Sequence, residues 1–397
     1  MELWYNDVEK SLFEKGTAMN FQKLKDLIAS LPGRGFPASD ISVARDGVEV
    51  FRASAGYADA EMTRSVTRDD IYWVFSISKI ATCIAAMRLV EEGRIDLYAP
   101  VSRYLPAYGT LTVQHADGSV HPAQNEMTVL HLFTMTGGLD YNGEKGTLNA
   151  FRASHPHMTT REFVDELAKQ PLCFEPGTQF AYSLCHDVLA AVVEAVSGVR
   201  FADYMREQIF APLGMNDTHY HLPEEKRDRL TAVYRYRHGV HRAEHLPDYR
   251  VPTYRYSDCY DSGGAGLATS VDDYMKLLGS LACGGTSPNG YRVLNPETVA
   301  MLGQGFLSDA IRETFMPTRL YGYSWGLCGR AHVDPHISDA RSAKGEFGWD
   351  GAAASYALVD PSNRVSIFFA TEVLGSNYAY HYLHPLLRDL AYEGLGL

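Results

Sequence analysis

Apolar positions near the start of the chain follow first a helical repeat and then a strand-like one. Residues 21–31 place apolar side chains three and four positions apart, which is the spacing of one buried helix face. Residues 41–43 and 48–50 alternate apolar and polar side chains around Arg45-Asp46-Gly47, a sequence typical of a tight turn. This pattern predicts a helix followed by an antiparallel hairpin.

The end of the chain shows the same two repeats in the opposite order. Residues 356–359 and 365–370 are apolar runs around the turn-forming Asp360-Pro361-Ser362-Asn363, and residues 382–392 have helical spacing. We therefore expect residues 1–75 and 340–397 to form the two halves of one antiparallel sheet covered by helices.

The middle of the chain consists of helical segments and polar loops. Residues 158–169, 188–196 and 201–210 have helical spacing. Roughly residues 100–260 are therefore predicted to be a helix-rich inserted region. Because no repeat, low-complexity tract or disordered linker separates these parts, we predict one α+β unit over residues 1–397.

Composition and charge restrict the classes of partner. The chain has 397 residues, of which 46% are hydrophobic and 21% charged, so it can bury a large core and a deep pocket. The formal net charge of -12 leaves no basic surplus, which argues against nucleic acid and membrane surfaces as partners. No apolar leader and no run of about 18 apolar residues is present, so a cytoplasmic protein is expected.

Six cysteines are scattered along the chain, without a Cys-x-x-Cys pair or a histidine spacing suited to zinc. We expect buried thiols in a reducing compartment, and no metal or other cofactor. The six are Cys83, Cys173, Cys185, Cys259, Cys283 and Cys328.

Ser76 and Lys79 stand at the head of an apolar, alanine-rich helical stretch, residues 80–92. Three residues are about one helical turn, so the hydroxyl and the ammonium would share one face. A serine becomes a strong nucleophile when a neighbour takes its proton, and a desolvated lysine can do so. The apolar flanking residues Trp73 and Phe75 would supply that desolvation. A Ser-x-x-Lys sequence also arises by chance in a chain this long, so the motif alone leaves a role without chemistry open.

Tyr182 follows a turn in residues 175–184 and precedes a predicted helix. A phenol close to a lysine ammonium has its anion favoured, so Tyr182 could accept the Ser76 proton and later pass it to a leaving group. The chain holds 25 tyrosines, and an ordinary core or surface position is the simpler alternative.

Residues 345–354 place glycines around a tryptophan just before the terminal hairpin. Glycine lets the backbone of a strand approach a ligand closely, and acyl transfer needs two N–H donors for the developing oxyanion. We assign these donors to the backbone of Ser76 and Ala352, and contact with substrate to Trp349, Asp350, Gly351 and Leu184. A bulge without a chemical role is the alternative.

Taken together and in this order, the Ser76-x-x-Lys79 pair, the Tyr182 segment and the glycine-flanked strand resemble the penicillin-recognising serine hydrolases. That group includes class C β-lactamases, D-amino-acid-specific peptidases and family VIII carboxylesterases. Residues 128–139, 211–215 and 263–270 are also similar to segments of the family. The resemblance implies a β-lactamase/transpeptidase-like fold, with the active site between the sheet and a mostly helical region.

Two departures from the family pattern narrow the expected function. Leu184 stands where Tyr-x-Asn usually ends, and Trp349-Asp350-Gly351 replaces the usual Lys-Thr-Gly. Losing the ammonium removes a charge-assisted hydrogen bond to a substrate carboxylate, and Asp350 would repel that carboxylate if it pointed inward. A tryptophan at position 349 and the Tyr-Ser-Leu sequence that ends at Leu184 resemble the family VIII esterases. We expect hydrolysis of short-chain carboxylic esters through a Ser76 acyl-enzyme, with weak or no β-lactamase activity.

Several alternatives stay open at this point. Either Lys79 or Tyr182 could be the general base, and the same motifs would serve a β-lactamase, a D-amino-acid peptidase or amidase, or an acyltransferase. A non-catalytic ligand-binding protein is least favoured, because Ser76, Lys79 and Tyr182 are all present. His131, His186 and His219 could each be imagined as a base, but a histidine beside a helix start, such as His186, is more often a structural hydrogen-bonding residue.

Overall fold

The structure is a computed structural model that describes residues 19–141, 147–240, 242–247, 256–315 and 320–397. The strands in these ranges are β1 (Ala38–Arg45), β2 (Val48–Gly56), β3 (Ile71–Trp73), β4 (Thr112–Gln114), β5 (Val120–Pro122), β6 (Tyr234–Arg237), β7 (Arg242–His245), β8 (Ala268–Ser270), β9 (Tyr323–Trp325), β10 (Arg330–His332), β11 (Phe347–Asp350), β12 (Tyr356–Asp360), β13 (Val365–Ala370) and β14 (Val373–Leu374). The α-helices are α1 (Gln22–Ser30), α2 (Ser78–Glu91), α3 (Val129–Phe133), α4 (Thr147–Ser154), α5 (Thr160–Leu167), α6 (Cys185–Ser197), α7 (Phe201–Met205), α8 (Ala211–Leu213), α9 (Val271–Ala282), α10 (Pro296–Leu302), α11 (Asp309–Arg312) and α12 (His384–Leu395).

Within the described residues, the main sheet has seven strands in the order β2-β1-β13-β12-β11-β10-β9. Each neighbouring pair is antiparallel. Strand β1 joins the two ends of the chain, since Ile41 lies opposite Ala53 of β2 on one side and Phe369 of β13 on the other. The predicted central antiparallel sheet is confirmed.

Two details of the sheet differ from the sequence-based expectation. Strands β9 and β10 come from before residue 340, so the sheet draws on more of the chain than residues 340–397. Strand β3 lies outside the main sheet and pairs with β8, with Tyr72 opposite Thr269. Short strands of three residues carry too little alternation to be recognised from sequence. The β3–β8 ladder matters because it leads the chain directly to Ser76.

Layers of helices cover both faces of the sheet. Side chains that are successive along a strand point to opposite faces, and Ile367 and Phe368 of β13 illustrate this. Ile367 packs in the core with Ile28 of α1 and Leu387 of α12. Phe368 belongs to the larger core on the other face, where its ring lies 5.0 Å from that of Tyr274 on α9. The sheet is therefore the middle layer: α1 and α12 cover one face, and α9 covers the other.

Helix α2 lies inside the molecule. Its side chains are buried on nearly every face, including that of Lys79, and it packs against α6. A helix that is apolar all round is typical of such a central position. The alanine-rich sequence after Ser76 is thus explained by burial, and the burial removes Lys79 from bulk water.

The cysteine prediction is right for only part of the set. Cys83, Cys185 and Cys328 are buried free thiols, whereas Cys173 is exposed and Cys259 and Cys283 are partly exposed. The last three lie in loops or at a helix end, where the chain runs along the surface. None of the helices in the described ranges has the length and apolar content needed to cross a bilayer.

Candidate active site

Ser76 lies in a sharp connection between β3 and α2. The connection is a single 3-10 turn, Phe75–Ile77, and the preceding Val74 N–H donates to the Leu267 carbonyl at 3.0 Å. Phe75 has a φ of 46°, in the left-handed region that residues with a Cβ rarely adopt. Such a conformation persists only where the surroundings enforce it, and Phe75 is buried. The turn leaves Ser76 partly exposed between buried neighbours.

Lys79 reaches Ser76 from the first turn of α2. Its Nζ lies 3.2 Å from the Ser76 Oγ, 3.2 Å from the Tyr141 hydroxyl and 2.7 Å from the Gly264 carbonyl oxygen. An ammonium has three N–H donors, and these three oxygens can accept all of them. The side chain is fully buried, so these contacts replace its hydration.

A buried carboxylate lies behind Lys79. The Asp187 Oδ1 accepts hydrogen bonds from the Tyr260 hydroxyl at 2.8 Å and the Ser262 hydroxyl at 2.7 Å. Burial raises the pKa of the Asp187 carboxyl, while the charge of Lys79 and these hydrogen bonds oppose the rise. A Cβ at position 264 would lie 2.4 Å from the Asp187 Oδ2 and 3.4 Å from the Lys79 Nζ. Only glycine fits between the carboxylate and the ammonium.

Tyr182 completes the group around Lys79. The Lys79 Nζ lies 4.7 Å from the centre of the Tyr182 ring, within the range of a cation–π contact. The Tyr182 hydroxyl accepts a hydrogen bond of 2.9 Å from the Trp349 Nε1. Tyr182 stands just before α6, and its ring also lies 5.8 Å from that of Tyr141. The structure thus brings Ser76, Lys79, Tyr182 and Trp349 together.

Trp349 is held in an aromatic wall. It lies on β11, is 3% exposed, and its ring centre is 4.6 Å from that of Trp325 and 5.5 Å from that of Tyr182. Phe180 packs against Trp325 at 5.3 Å. Where an ammonium stands in relatives with Lys-Thr-Gly, this chain presents an uncharged aromatic surface.

Asp350 points away from this wall. Because successive residues of a strand face opposite sides, Asp350 leaves β11 on the side opposite to Trp349. Its Oδ1 lies 3.1 Å from the His384 Nδ1 and 3.6 Å from an Arg330 nitrogen, and all three side chains are buried. The expected contact between Asp350 and substrate is therefore replaced by a buried ion-pair network behind the strand.

The turn after β11 approaches the Ser76 segment closely. A Cβ at Gly351 would lie 2.6 Å from the Val74 carbonyl oxygen and 2.1 Å from the Ser355 Oγ, so the approach requires glycine. Ala352 is partly buried beside this contact. The backbone groups of Ser76 and Ala352, assigned from sequence as oxyanion donors, thus belong to two segments that lie against each other.

Four other residues considered from the sequence serve the fold. Leu184 begins α6 and is 1% exposed, so it packs in the core and does not line the site. Burial lowers the pKa of His186 well below its ordinary value, and its Nε2 lies 3.3 Å from the Cys83 Sγ. The remaining two have local partners: His131 accepts the Thr128 N–H at the start of α3, and His219 contacts Lys226.

Sequence reasoning missed Tyr141 and Asp187. Tyr141 follows the Gly137-Gly138-Leu139 segment that resembles the family, so its position next to a familiar segment was the available signal. Asp187 lies five residues after Tyr182, inside an apolar helix, and a buried carboxylate of this kind normally has a charged or hydrogen-bonding partner. The contact of Tyr141 with Lys79, and the position of Asp187 behind Lys79, depend on the fold and not on the local sequence.

Comparisons with known proteins identify the family of this chain. Residues 24–392 match the Beta-lactamase family. Esterase EstB of Burkholderia gladioli is 30% identical over 374 residues, covering 88% of this chain and 89% of that protein. The structure of EstCE1, described as a hydrolase with promiscuous acyltransferase activity, has a TM-score of 0.77 at 25% identity and covers 97% of this chain and 99% of its own.

A solved family VIII carboxylesterase shares the fold with a TM-score of 0.71 at 19% identity, covering 96% of this chain and 99% of its own. The family match spans nearly the whole chain, and the relation to the Burkholderia esterase extends over most of both proteins. This chain belongs to the beta-lactamase family and is a serine hydrolase of that fold.

Proposed function

We propose that this enzyme hydrolyses neutral short-chain carboxylic esters through an acyl-enzyme formed on Ser76. The observation that carries the proposal is the 3.2 Å contact between the Lys79 Nζ and the Ser76 Oγ at the head of a buried helix. When Lys79 is neutral, its nitrogen can accept the Ser76 hydroxyl proton at this distance, and such an acceptor is what the hydroxyl needs to become a nucleophile.

In the acylation step, the Ser76 Oγ attacks the ester carbonyl carbon while Lys79, in its neutral form, takes the hydroxyl proton. The carbonyl π electrons move to oxygen, and the backbone N–H groups of Ser76 and Ala352 stabilise that oxyanion. The intermediate then collapses, the bond to the alcohol oxygen breaks, and Tyr182 or Lys79 supplies the proton that the departing alcohol needs.

In the deacylation step, water attacks the same carbonyl carbon and gives its proton to the Lys79–Tyr182 pair. The bond between the acyl carbon and the Ser76 Oγ breaks, and the proton returns to Ser76. The free acid leaves, and the starting protonation state is restored. The oxyanion donors and the proton acceptor are used twice, so losing either slows both steps.

Selectivity for uncharged substrates follows from Trp349. Its indole N–H is hydrogen-bonded to the Tyr182 hydroxyl, and its ring packs on Trp325. β-Lactams and peptides that end in D-Ala carry a carboxylate, which relatives with Lys-Thr-Gly can pair with an ammonium. An aromatic wall instead favours apolar acyl and alcohol groups by excluding water.

The test is a side-by-side rate comparison on p-nitrophenyl acetate, p-nitrophenyl butyrate and a chromogenic cephalosporin, with Ser76→Ala as the control. We expect turnover of both esters, a cephalosporin rate at least about 100-fold lower, and an ester rate reduced by about 10⁴-fold or more in Ser76→Ala. Cephalosporin opening as fast as ester hydrolysis would refute the proposed selectivity, and ester turnover by Ser76→Ala would refute the nucleophile.

A further inference from the structure

The turn after β11 is held by hydrogen bonds at each of its four carbonyl groups. The Gly351 oxygen accepts from the Ala354 N–H at 3.0 Å, which closes the turn. Three residues from the C-terminal part of the chain make four further contacts with the turn. The Tyr380 hydroxyl lies 3.1 Å from the Gly351 oxygen and 2.9 Å from the Ala352 oxygen. The Val373 N–H donates to the Ala353 oxygen at 3.0 Å, and the His384 Nε2 lies 2.9 Å from the Ala354 oxygen.

We propose that Tyr380 and His384 are positioning residues for ester hydrolysis, because they hold this turn so that the Ala352 N–H faces the oxyanion. The inference rests on the proposed function and adds two residues that touch neither the substrate nor Ser76. It predicts that the hydroxyl of Tyr380 contributes to the rate of the chemical step more than to substrate binding.

The geometry of one peptide group carries the argument. The Gly351 carbonyl and the Ala352 N–H belong to the same planar trans peptide, so they point in opposite directions. Fixing the oxygen from behind therefore fixes the direction of the N–H in front. The Gly351 oxygen accepts a hydrogen bond from the Ala354 N–H and shares the single Tyr380 hydroxyl hydrogen with the Ala352 oxygen. Both contacts polarise the peptide and strengthen its N–H as a donor.

The surroundings of the turn support this reading. Among the residues that the structure describes, the Ala352 N–H has no hydrogen-bond partner, while the neighbouring Gly351 lies against Val74 in the segment that leads to Ser76. Ala354 has a φ of 69°, a strained value for a residue with a Cβ. The bond from the His384 Nε2 to the Ala354 oxygen helps to hold that strained residue in place.

His384 is itself fixed on its other side. Its Nδ1 lies 3.1 Å from the Asp350 Oδ1, and its ring is 2% exposed. Both ring nitrogens therefore face acceptors, and His384 connects the last residue of β11 with the last carbonyl of the turn. Tyr380 and His384 lie on one helical segment, four residues apart, so a single element sets both contacts.

The experiment compares Tyr380→Phe with Tyr382→Phe on p-nitrophenyl butyrate. Tyr380→Phe removes only the hydroxyl, and we expect kcat to fall about tenfold with KM unchanged, which is less than the roughly 10²- to 10³-fold cost of losing a whole oxyanion donor. Tyr382 is 67% exposed on the same segment, so its substitution should leave kcat and KM at the wild-type values. An unchanged kcat in Tyr380→Phe would overturn the inference, and so would a loss confined to KM.

A second pair of variants guards against misfolding. His384→Gln can keep a donor near the position of Nε2, whereas His384→Asn can keep one only near Nδ1. Both variants are assayed at a temperature below their thermal unfolding midpoints. We expect kcat to fall further in His384→Asn than in His384→Gln; the reverse order would contradict the role of the Ala354 contact. If Ser76→Ala abolishes ester turnover while Tyr380→Phe and His384→Asn keep the wild-type rate, this inference fails and the proposed function stands.

Discussion

The Trp349 indole N–H donates a 2.9 Å hydrogen bond to the Tyr182 hydroxyl, in a chain where Lys79 lies 4.7 Å from the centre of the same tyrosine ring. Tyr182 is thus fixed at its oxygen by a neutral donor and at its ring by a cation. Trp349 therefore contacts the tyrosine that we propose handles the proton, in addition to shaping the aromatic wall.

Replacing Trp349 by Phe keeps an aromatic wall and removes the N–H. The lost hydrogen bond is worth about 1 kcal/mol or somewhat more, so kcat on p-nitrophenyl butyrate should fall about five- to tenfold. KM should change by less than about twofold, since the substrate still meets a ring. Steady-state kinetics on this ester measure both constants. A KM effect with normal kcat would mean that Trp349 serves only as a wall.

Replacing Tyr141 by Phe removes one of the three oxygens around the Lys79 Nζ. The remaining contacts, to Ser76 and the Gly264 carbonyl, keep the lysine in place. We expect kcat to fall about three- to tenfold, because a single hydrogen bond to a buried charged group is lost. Lys79→Ala should cost several orders of magnitude on the same ester. Equal losses in the two variants would show that Tyr141 has a larger role than supporting the lysine.

Replacing Asp350 by Ala should destabilise the fold. The change removes the carboxylate that contacts the His384 Nδ1 and one Arg330 nitrogen, while Arg330 keeps its buried ion pair with Glu346. Leaving a buried polar group without its partner costs about 1–3 kcal/mol. Urea unfolding measures the loss of stability. Asp309→Ala is the control, because the ion pair between Asp309 and Arg312 is exposed. Its loss should lower the free energy of unfolding by less than about 1 kcal/mol.

The same Asp350 variant tests the direction of the carboxylate. Since Asp350 faces away from Trp349, removing its charge should not raise the rate of cephalosporin opening. A marked gain in that rate would show that Asp350 repels anionic substrates after all.

Glu372 should make the stability of the protein fall as the pH rises. Its side chain is fully buried, and burial raises the pKa of the carboxyl well above its ordinary 4.5, although the Trp73 N–H donates to it. A raised folded-state pKa means that the stabilisation is complete below 4.5 and is lost progressively as the pH climbs towards the folded-state pKa. The loss can reach about 1.4 kcal/mol per pH unit in that window.

Glu372→Gln tests this prediction, because glutamine keeps an oxygen for Trp73 and cannot ionise. The stability of the wild type relative to the variant should decrease between about pH 5 and pH 8 when unfolding midpoints are compared. A difference that does not depend on pH would show that Glu372 does not titrate over that interval.

Much of the fold could be predicted because its signals are local. The two hairpins have turn residues between apolar runs, and the Asp46–Gly47 turn adopts the positive φ values that its sequence favours. The short strands β9 and β10 escaped prediction, since three residues carry almost no periodicity. Their position follows from pairing: β10 pairs with β11, and β9 pairs with β10.

The candidate site, too, could be predicted from the sequence only in part. Ser76 and Lys79 could be paired from the helical spacing alone, because both belong to one segment. The partners of Lys79 at Tyr141 and Gly264 come from segments 62 and 185 residues away, and only the fold brings them together. The direction of Asp350 was also beyond the sequence, because a single polar residue at the end of a strand does not reveal which face is the outer one.

The central claim is that Ser76 is the nucleophile that becomes acylated, and a covalent label tests it most directly. The enzyme is treated with a p-nitrophenyl alkylphosphonate, whose tetrahedral product imitates the acylation intermediate, and peptides are mapped by mass spectrometry alongside Ser76→Ala. We predict one phosphonyl group per chain, on Ser76, appearing in step with the loss of esterase activity and absent from the variant. A label on another residue, or equal labelling of Ser76→Ala, would contradict the account.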